Sequence, residues 1–124
     1  MRSILSIDGG GIRGIIPGMV LIGLEEKLQR QSNDPEARIA DYFDFFAGTS
    51  AGGILVSLLL CRNEQGRPRY TAAEAVDIYL RHGARIFRSY LPVRLLARVG
   101  LVREKHSARS LKEVFEHYFG DTLL

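Results

Sequence analysis

The chain has 124 residues, of which 46% are hydrophobic and 25% are charged, and its formal net charge is +3 at pH 7. This size allows one small domain with a single core, and the composition excludes fibrous and disordered classes of protein. The single cysteine, Cys61, excludes an internal disulfide and a multi-cysteine zinc site. Its place in an apolar run predicts a buried and inert thiol.

The chain shows no secretory signal and no membrane span. The N-terminal apolar run, Ile4–Ile7, is too short for a signal peptide and is followed by an acidic residue. The longest apolar run, Ile54–Cys61, is far shorter than the ~20 residues that cross a bilayer. We therefore expect a cytoplasmic protein or a peripheral membrane protein.

The first half of the chain predicts the order strand, helix, strand, helix. Ile4–Asp8 predicts a strand buried in a parallel sheet. From Ile15, apolar residues recur at three- and four-residue spacing and predict an amphipathic helix with Glu25 on its polar face. The aromatic run Tyr42–Ala47 predicts a second strand, and 51–62 predicts the helix that follows it.

Two capping boxes, in which Ser or Thr precedes Glu by three residues, predict two further helices. The box Thr71–Glu74 opens a helix that we expect to end near His82. The box Ser110–Glu113 opens a helix that we expect to end near Phe119. Residues 85–105, which lie between these helices, include Pro and Gly and predict an irregular segment.

The segment after the second predicted strand, Gly48 to Gly52, has the pattern G-x-S-x-G. A serine between a strand and a helix lies on a tight turn that raises its hydroxyl above the sheet, and small neighbours let that turn close. The N-terminus of the helix adds a partial positive charge that favours an oxyanion. Ser50 is therefore the candidate nucleophile, and the elbow around it also includes Thr49 and Ala51. A loop serine in a glycine-rich turn is the alternative.

Three consecutive glycines, Gly9, Gly10 and Gly11, follow the first predicted strand. Such a loop presents N–H groups in one direction and binds either a phosphate or an oxyanion. A nucleotide loop is the alternative, but the segment to Gly14 lacks the Gly-Lys-Ser/Thr ending of a P-loop. A glycine loop one βα unit before a nucleophile elbow favours acyl chemistry.

Together these motifs resemble those of the patatin-like phospholipase family. Asp8–Gly14 is similar to that family's oxyanion loop, Asp-Gly-Gly-Gly-x-Arg-Gly, and Gly48–Gly53 is similar to its elbow, Gly-Thr-Ser-Ala-Gly-Gly. The resemblance implies an α/β protein with a three-layer α/β/α fold and a mainly parallel sheet. Residues 1–124 would be the N-terminal part of a single such domain, truncated at its C-terminal side.

The same resemblance implies hydrolysis of acyl esters in phospholipids and other membrane lipids, with no metal or organic cofactor. It makes Ser50 the nucleophile of a Ser–Asp dyad. It assigns the oxyanion N–H groups to Gly9, Gly10 and Gly11, and it places Arg13 beside that loop.

The dyad aspartate of the family stands in an Asp-Gly-Gly or Asp-Gly-Ala motif downstream of the serine. No acidic residue after Ser50 is followed by glycine in this chain. We therefore predict that the base is absent and that the chain by itself is inactive, because an unassisted serine hydroxyl is a poor nucleophile.

Two other functions remain open. One is a non-catalytic patatin-like fragment, or a remnant retained for binding. The other is an acyltransferase with the same elbow, which fits less well because malonyl-transferase-like enzymes carry His next to the nucleophile. We expect His82, His106 and His117 to be surface residues rather than catalytic ones. A homo-oligomer or a partner chain would cover the open edge of a truncated sheet.

The stretch from Arg81 to Lys105 contains seven basic residues and one acidic residue, interleaved with large apolar side chains. This pattern favours peripheral contact with an anionic membrane, to which each cation near the surface contributes about 1 kcal/mol. A solvated loop is the alternative, and no recognised motif supports nucleic-acid binding.

If this stretch binds membranes, the product of the complete reading frame that contains the chain will sediment with phosphatidylserine vesicles at low salt. High salt will release it, because screening weakens attraction between exposed charges. Cosedimentation measures both effects, and equal binding to neutral phosphatidylcholine vesicles would exclude the interpretation.

Overall fold

A computed structural model describes residues 2–88 and 116–118. The strands and helices follow in the order β1 (Ile4–Ile7), α1 (Ile15–Ser32), β2 (Phe45–Gly48), α2 (Ala51–Leu60) and α3 (Ala72–Arg88). A 3-10 turn at Gly11–Gly14 precedes α1, and another at Ile39–Asp41 precedes β2. Residues 116–118 are helical. The predicted alternation of strands and helices is confirmed, and the protein is of the α/β class.

The strands β1 and β2 are parallel neighbours, joined by the crossover helix α1. Their register places Ile7 opposite Gly48, so the chain leaves both strands side by side at the carboxyl edge. At the opposite edge, the N–H of Ser3 donates to the Asp44 carboxyl at 2.6 Å, and the Ser3 hydroxyl donates to the same group at 3.1 Å. These hydrogen bonds hold the pKa of Asp44 below its ordinary value.

The second strand is shorter than the predicted Tyr42–Ala47 and begins at Phe45. The prediction was wrong at its start because Tyr42, the first residue of the aromatic run, caps the 3-10 turn of Ile39–Asp41. The N–H of Tyr42 donates to the carbonyl of Ile39 at 3.1 Å, which closes that turn. Helix α2 likewise ends at Leu60, two residues before the predicted end.

The predicted capping box at the start of α3 is confirmed. The N–H of Glu74 donates to the Thr71 hydroxyl at 3.1 Å, and the N–H of Thr71 donates to the Glu74 carboxyl at 2.8 Å. The predicted end near His82 is wrong, since the helix continues to Arg88 and includes the first part of the basic stretch. Most of the helix predicted after residue 110 lies outside the described residues.

The core lies where α2 packs against α3. Leu55, Leu58 and Leu59 of α2 are buried with Val76 of α3, as expected for a helix that is apolar on nearly every side. Cys61 is fully buried in the same cluster, which confirms the predicted burial of its thiol.

The face of α1 that packs against α3 is not the apolar face that the spacing predicts. A Cβ atom added to Gly18 would lie 2.9 Å from a Val76 methyl group, so the absence of a side chain lets the two helices approach closely. This orientation buries Glu25, which we predicted on the polar face, and leaves Ile16 and Val20 exposed at 66% and 65% of their surface. The prediction failed because spacing alone does not tell which apolar face is covered.

The buried carboxyl of Glu25 links three elements. It accepts a hydrogen bond from the N–H of Ala72 at 2.7 Å and another from the N–H of Ile39 at 3.2 Å. Ala72 begins α3, where an N–H group has no partner inside the helix and an acidic side chain is favoured. Glu25 therefore joins α1 to the start of α3 and to the turn before β2.

Replacing Glu25 by Ala should destabilise the protein by about 2 kcal/mol or more, because it leaves buried N–H groups without acceptors. Glu26→Ala is the matched control, since Glu26 is exposed and pairs with Arg30 at 3.8 Å. Such surface pairs contribute at most about 1 kcal/mol. Thermal unfolding followed by circular dichroism measures both changes, and equal losses would contradict the role of Glu25.

Candidate active site

Ser50 lies at the junction between β2 and α2 with φ 51° and ψ −120°. A positive φ at a residue other than glycine costs about 1–3 kcal/mol and persists only where the surroundings enforce it. The Ser50 side chain is exposed and makes no capping hydrogen bond with α2. Among the described residues its hydroxyl has no hydrogen-bond partner. This is the strained strand-to-helix turn that the motif predicts.

Glycines allow α2 to begin directly against the strands. A Cβ atom added to Gly52 would lie 2.0 Å from the carbonyl oxygen of Ile7, and one added to Gly48 would lie 2.6 Å from the backbone of Gly52. Ala51 is fully buried, so a larger side chain has no space there. The small residues of the elbow are therefore required by backbone packing.

The glycine loop after β1 touches the serine turn directly. A Cβ atom added to Gly9 would lie 2.5 Å from the carbonyl oxygen of Thr49 and 2.9 Å from the Cβ atom of Ser50. The N–H of Gly9 donates to the Thr49 hydroxyl at 2.9 Å, and the N–H of Thr49 donates to the carbonyl of Ile7 at 3.2 Å. The two motifs that the sequence places 40 residues apart are thus in direct contact.

The hydroxyl of Thr49 accepts the hydrogen bond of one loop amide, Gly9, which is then not free to bind an oxyanion. The Gly9 N–H would have to give up its bond to Thr49 before it could bind an oxyanion. In the part of the chain that the structure describes, the N–H groups of Gly10 and Gly11 donate no hydrogen bond. Gly11 has φ 57°, in the left-handed region that favours glycine.

Arg13 follows this loop, and its side chain is exposed. Its N–H donates to the carbonyl of Gly10 at 3.2 Å, which closes the 3-10 turn. Asp8 follows β1 and is also exposed. Within residues 2–88 and 116–118, no ion pair joins Arg13 to Asp8.

Tyr79 of α3 also contacts the loop, which the sequence patterns above did not predict. Its hydroxyl donates to the carbonyl oxygen of Gly11. Burial raises the pKa of Tyr79, so the phenol remains a protonated donor to higher pH than usual. Ala72, Ala75 and Val76 share its buried face, and a tyrosine at that spacing indicates a buried hydroxyl that needs an acceptor.

An open cleft of about 430 Å³ borders the loop at Gly9 and Arg13. Its far wall is formed by α1 and includes the exposed apolar residues Ile16 and Val20. Residues 2–88 and 116–118 contain no helix that is both long and apolar enough to cross a bilayer. They also bring no three metal-binding side chains together.

The histidines have other contacts. The Nε2 atom of His82 lies 2.7 Å from the hydroxyl of Tyr118, and the His117 ring packs edge-on against the Tyr118 ring. His117 is exposed, as predicted, whereas His82 is half-buried. His106 lies outside the described residues, as does most of the basic stretch.

Comparison with known proteins identifies the family. The Patatin-like phospholipase family model matches residues 5–124. The chain belongs to this family. Patatin-16 of Solanum tuberosum is 43% identical over 122 residues, which make up 98% of this chain and 30% of that protein. Patatin-03 and Patatin-1-Kuras 2 of the same plant are 41% and 42% identical over the same length.

Membership of the patatin-like family confirms the resemblance drawn from the two motifs. The parallel pairing of β1 with β2, flanked by helices, is consistent with a patatin-like α/β fold. The chain spans about 30% of the length of the curated relatives it matches.

Replacing Gly52 by Ala should prevent the elbow from closing, because the new methyl group would meet the Ile7 carbonyl oxygen. We expect a loss of at least about 3 kcal/mol in stability, as for severe overpacking. Gly23→Ala in α1 is the control, since its methyl group would have no neighbour within 4 Å. That change should be neutral or stabilising by up to about 1 kcal/mol. Melting temperatures of the purified variants test this, and a neutral Gly52→Ala would contradict the packing account.

Proposed function

We propose that residues 1–124 form the N-terminal part of a single domain of a serine lipid acyl hydrolase, of the phospholipase A or lysophospholipase type. The observation that carries this proposal is Ser50 at a positive φ, with its hydroxyl unused by α2 and with Gly9 packed against it. Strain at an exposed serine beside a loop with free amides is typical of a nucleophile that has been positioned for attack.

In the proposed reaction, the Ser50 oxygen attacks the carbonyl carbon of a lipid ester and loses its proton to a base. The amides of Gly10 and Gly11 donate to the oxygen that becomes negative, and the N-terminus of α2 adds a favourable dipole. The ester C–O bond then breaks, the alcohol leaves with the proton, and an acyl group remains on Ser50. Water attacks this acyl-enzyme and releases the fatty acid.

Two acidic residues that follow Ser50 in the described chain already have other partners. Glu74 caps α3, and the carboxyl of Asp77 pairs with Arg81 at 2.8 Å. Glu64 lies in the exposed loop after α2. We therefore propose that an aspartate outside residues 1–124 supplies the base, and that the chain alone is inactive.

Phospholipids or other lipids are the proposed substrates, reached at the surface of an anionic membrane through the basic stretch. The sheet of the described residues has two strands, so one edge of β1 and one edge of β2 are unpaired. Beside β1, Ile16 and Val20 of α1 expose most of their apolar surface. We propose that further residues of the domain, a second copy or a partner chain cover this side.

Ser50→Ala in the product of the complete reading frame should lower the hydrolysis of a p-nitrophenyl acyl ester by about 10⁴-fold or more. It should also abolish covalent labelling by an alkyl fluorophosphonate. Ser57→Ala is the matched control, because the Ser57 hydroxyl donates to the Gly53 carbonyl within α2 at 2.9 Å. That variant should keep both activities.

The isolated 124-residue chain should show negligible turnover in the same assay. Parent-like turnover that is lost on Ser50→Ala would refute the absence of the base. A complete product without Ser50-dependent hydrolysis would instead support the alternative of a non-catalytic binding remnant. Transfer of the acyl group to an acceptor alcohol in preference to water would support an acyltransferase.

A further inference from the structure

The glycine loop is restrained unevenly. Gly9 is tightly packed against Thr49 and Ser50, whereas a Cβ atom added to Gly11 would have no neighbour within 4 Å. Gly11 also has φ 57°, and glycine has the greatest backbone freedom of any residue. Packing therefore does not hold the loop at Gly11, and a polar contact has to supply that restraint.

The hydroxyl of Tyr79 supplies such a contact by donating to the Gly11 carbonyl. Tyr79 is only 3% exposed, and its ring is seated on Gly14, where an added Cβ atom would lie 2.6 Å from the Tyr79 oxygen. The position of the phenol is thus fixed by packing that does not involve its hydrogen bond to Gly11. The N–H of Ala72, at the start of α3, donates to the Glu25 carboxyl of α1. The hydrogen bond from Tyr79 to Gly11 therefore connects the loop to two packed helices.

Each peptide bond of the loop is planar and trans, so a hydrogen bond to a carbonyl also restrains the N–H of the next residue. A carbonyl and the next N–H in the chain point in opposite directions, so fixing the one orients the other. The Arg13 N–H holds the Gly10 carbonyl and thereby orients the Gly11 N–H away from the 3-10 turn. Tyr79 holds the following peptide unit, which limits rotation on the other side of Gly11.

We propose that Tyr79 is a positioning residue, which fixes the peptide unit that joins Gly11 to Ile12 and, by limiting rotation about Gly11, keeps the neighbouring Gly11 N–H aligned with the oxyanion above Ser50. This proposal rests on the proposed hydrolase function. Oxyanion donors act in the transition state only when they are aligned beforehand. A loop that rotates at Gly11 would bind the ground-state ester equally well but would stabilise the oxyanion less.

The test uses Tyr79→Phe in the product of the complete reading frame, which removes the hydroxyl and keeps the ring on Gly14. We expect kcat to fall about 10-fold while KM changes less than about 2-fold, since the lost restraint acts in the transition state. The rate constant for labelling by an alkyl fluorophosphonate should fall in the same proportion.

Tyr70→Phe is the matched control. The Tyr70 hydroxyl donates to the carbonyl of Tyr118 at 2.9 Å, so this variant also removes one hydroxyl-to-backbone hydrogen bond of a tyrosine. Its bond lies outside the glycine loop. We expect a fall in melting temperature similar to that of Tyr79→Phe and no change in kcat.

Gly14→Ala provides a second variant that keeps the Tyr79 hydroxyl but displaces it, because the new methyl group would overlap the phenol. It should lower kcat without raising KM, like Tyr79→Phe. A wild-type kcat in both variants, or an equal loss of kcat in Tyr70→Phe, would overturn the positioning role. Full activity in Ser50→Ala would instead overturn the hydrolase function on which this role depends.

Discussion

The site depends on one close backbone approach, between the glycine loop after β1 and the serine turn after β2. The parallel register brings Ile7 opposite Gly48, so the two loops leave the sheet as neighbours. Gly9 then lies so near the Thr49 carbonyl and Ser50 that no side chain fits between them. Without this approach the loop amides and the serine hydroxyl would not share a site.

The remaining structure supports this approach. The hydrogen bond from Gly9 to Thr49 joins loop and elbow, and Gly52 lets α2 start against β1. Tyr79 links the far end of the loop to α3, and Glu25 links the start of α3 to α1. The positive φ of Ser50 is thus maintained by a continuous set of contacts, since strain of this kind must be balanced by the surrounding packing.

Local patterns predicted the secondary-structure elements and the serine turn better than they predicted burial. The strand at Ile4, the cap at Thr71 and the turn at Ser50 depend on residues close in sequence, and the structure has each of them. Glu25 was misplaced because the N–H groups that donate to its carboxyl lie on other elements, and a helical pattern contains no information about them. Tyr79 was missed for the same reason, since its partner is a loop carbonyl 68 residues away in the chain.

The most direct test of the account is the structure of the complete product after reaction with an alkyl fluorophosphonate. We expect phosphorus bound to the Ser50 oxygen, with a phosphoryl oxygen about 2.7–3.1 Å from the amides of Gly10 and Gly11. We also expect that the hydroxyl of Tyr79 still donates to the Gly11 carbonyl. An adduct on another residue, or a phosphoryl oxygen turned away from the glycine loop, would contradict the account.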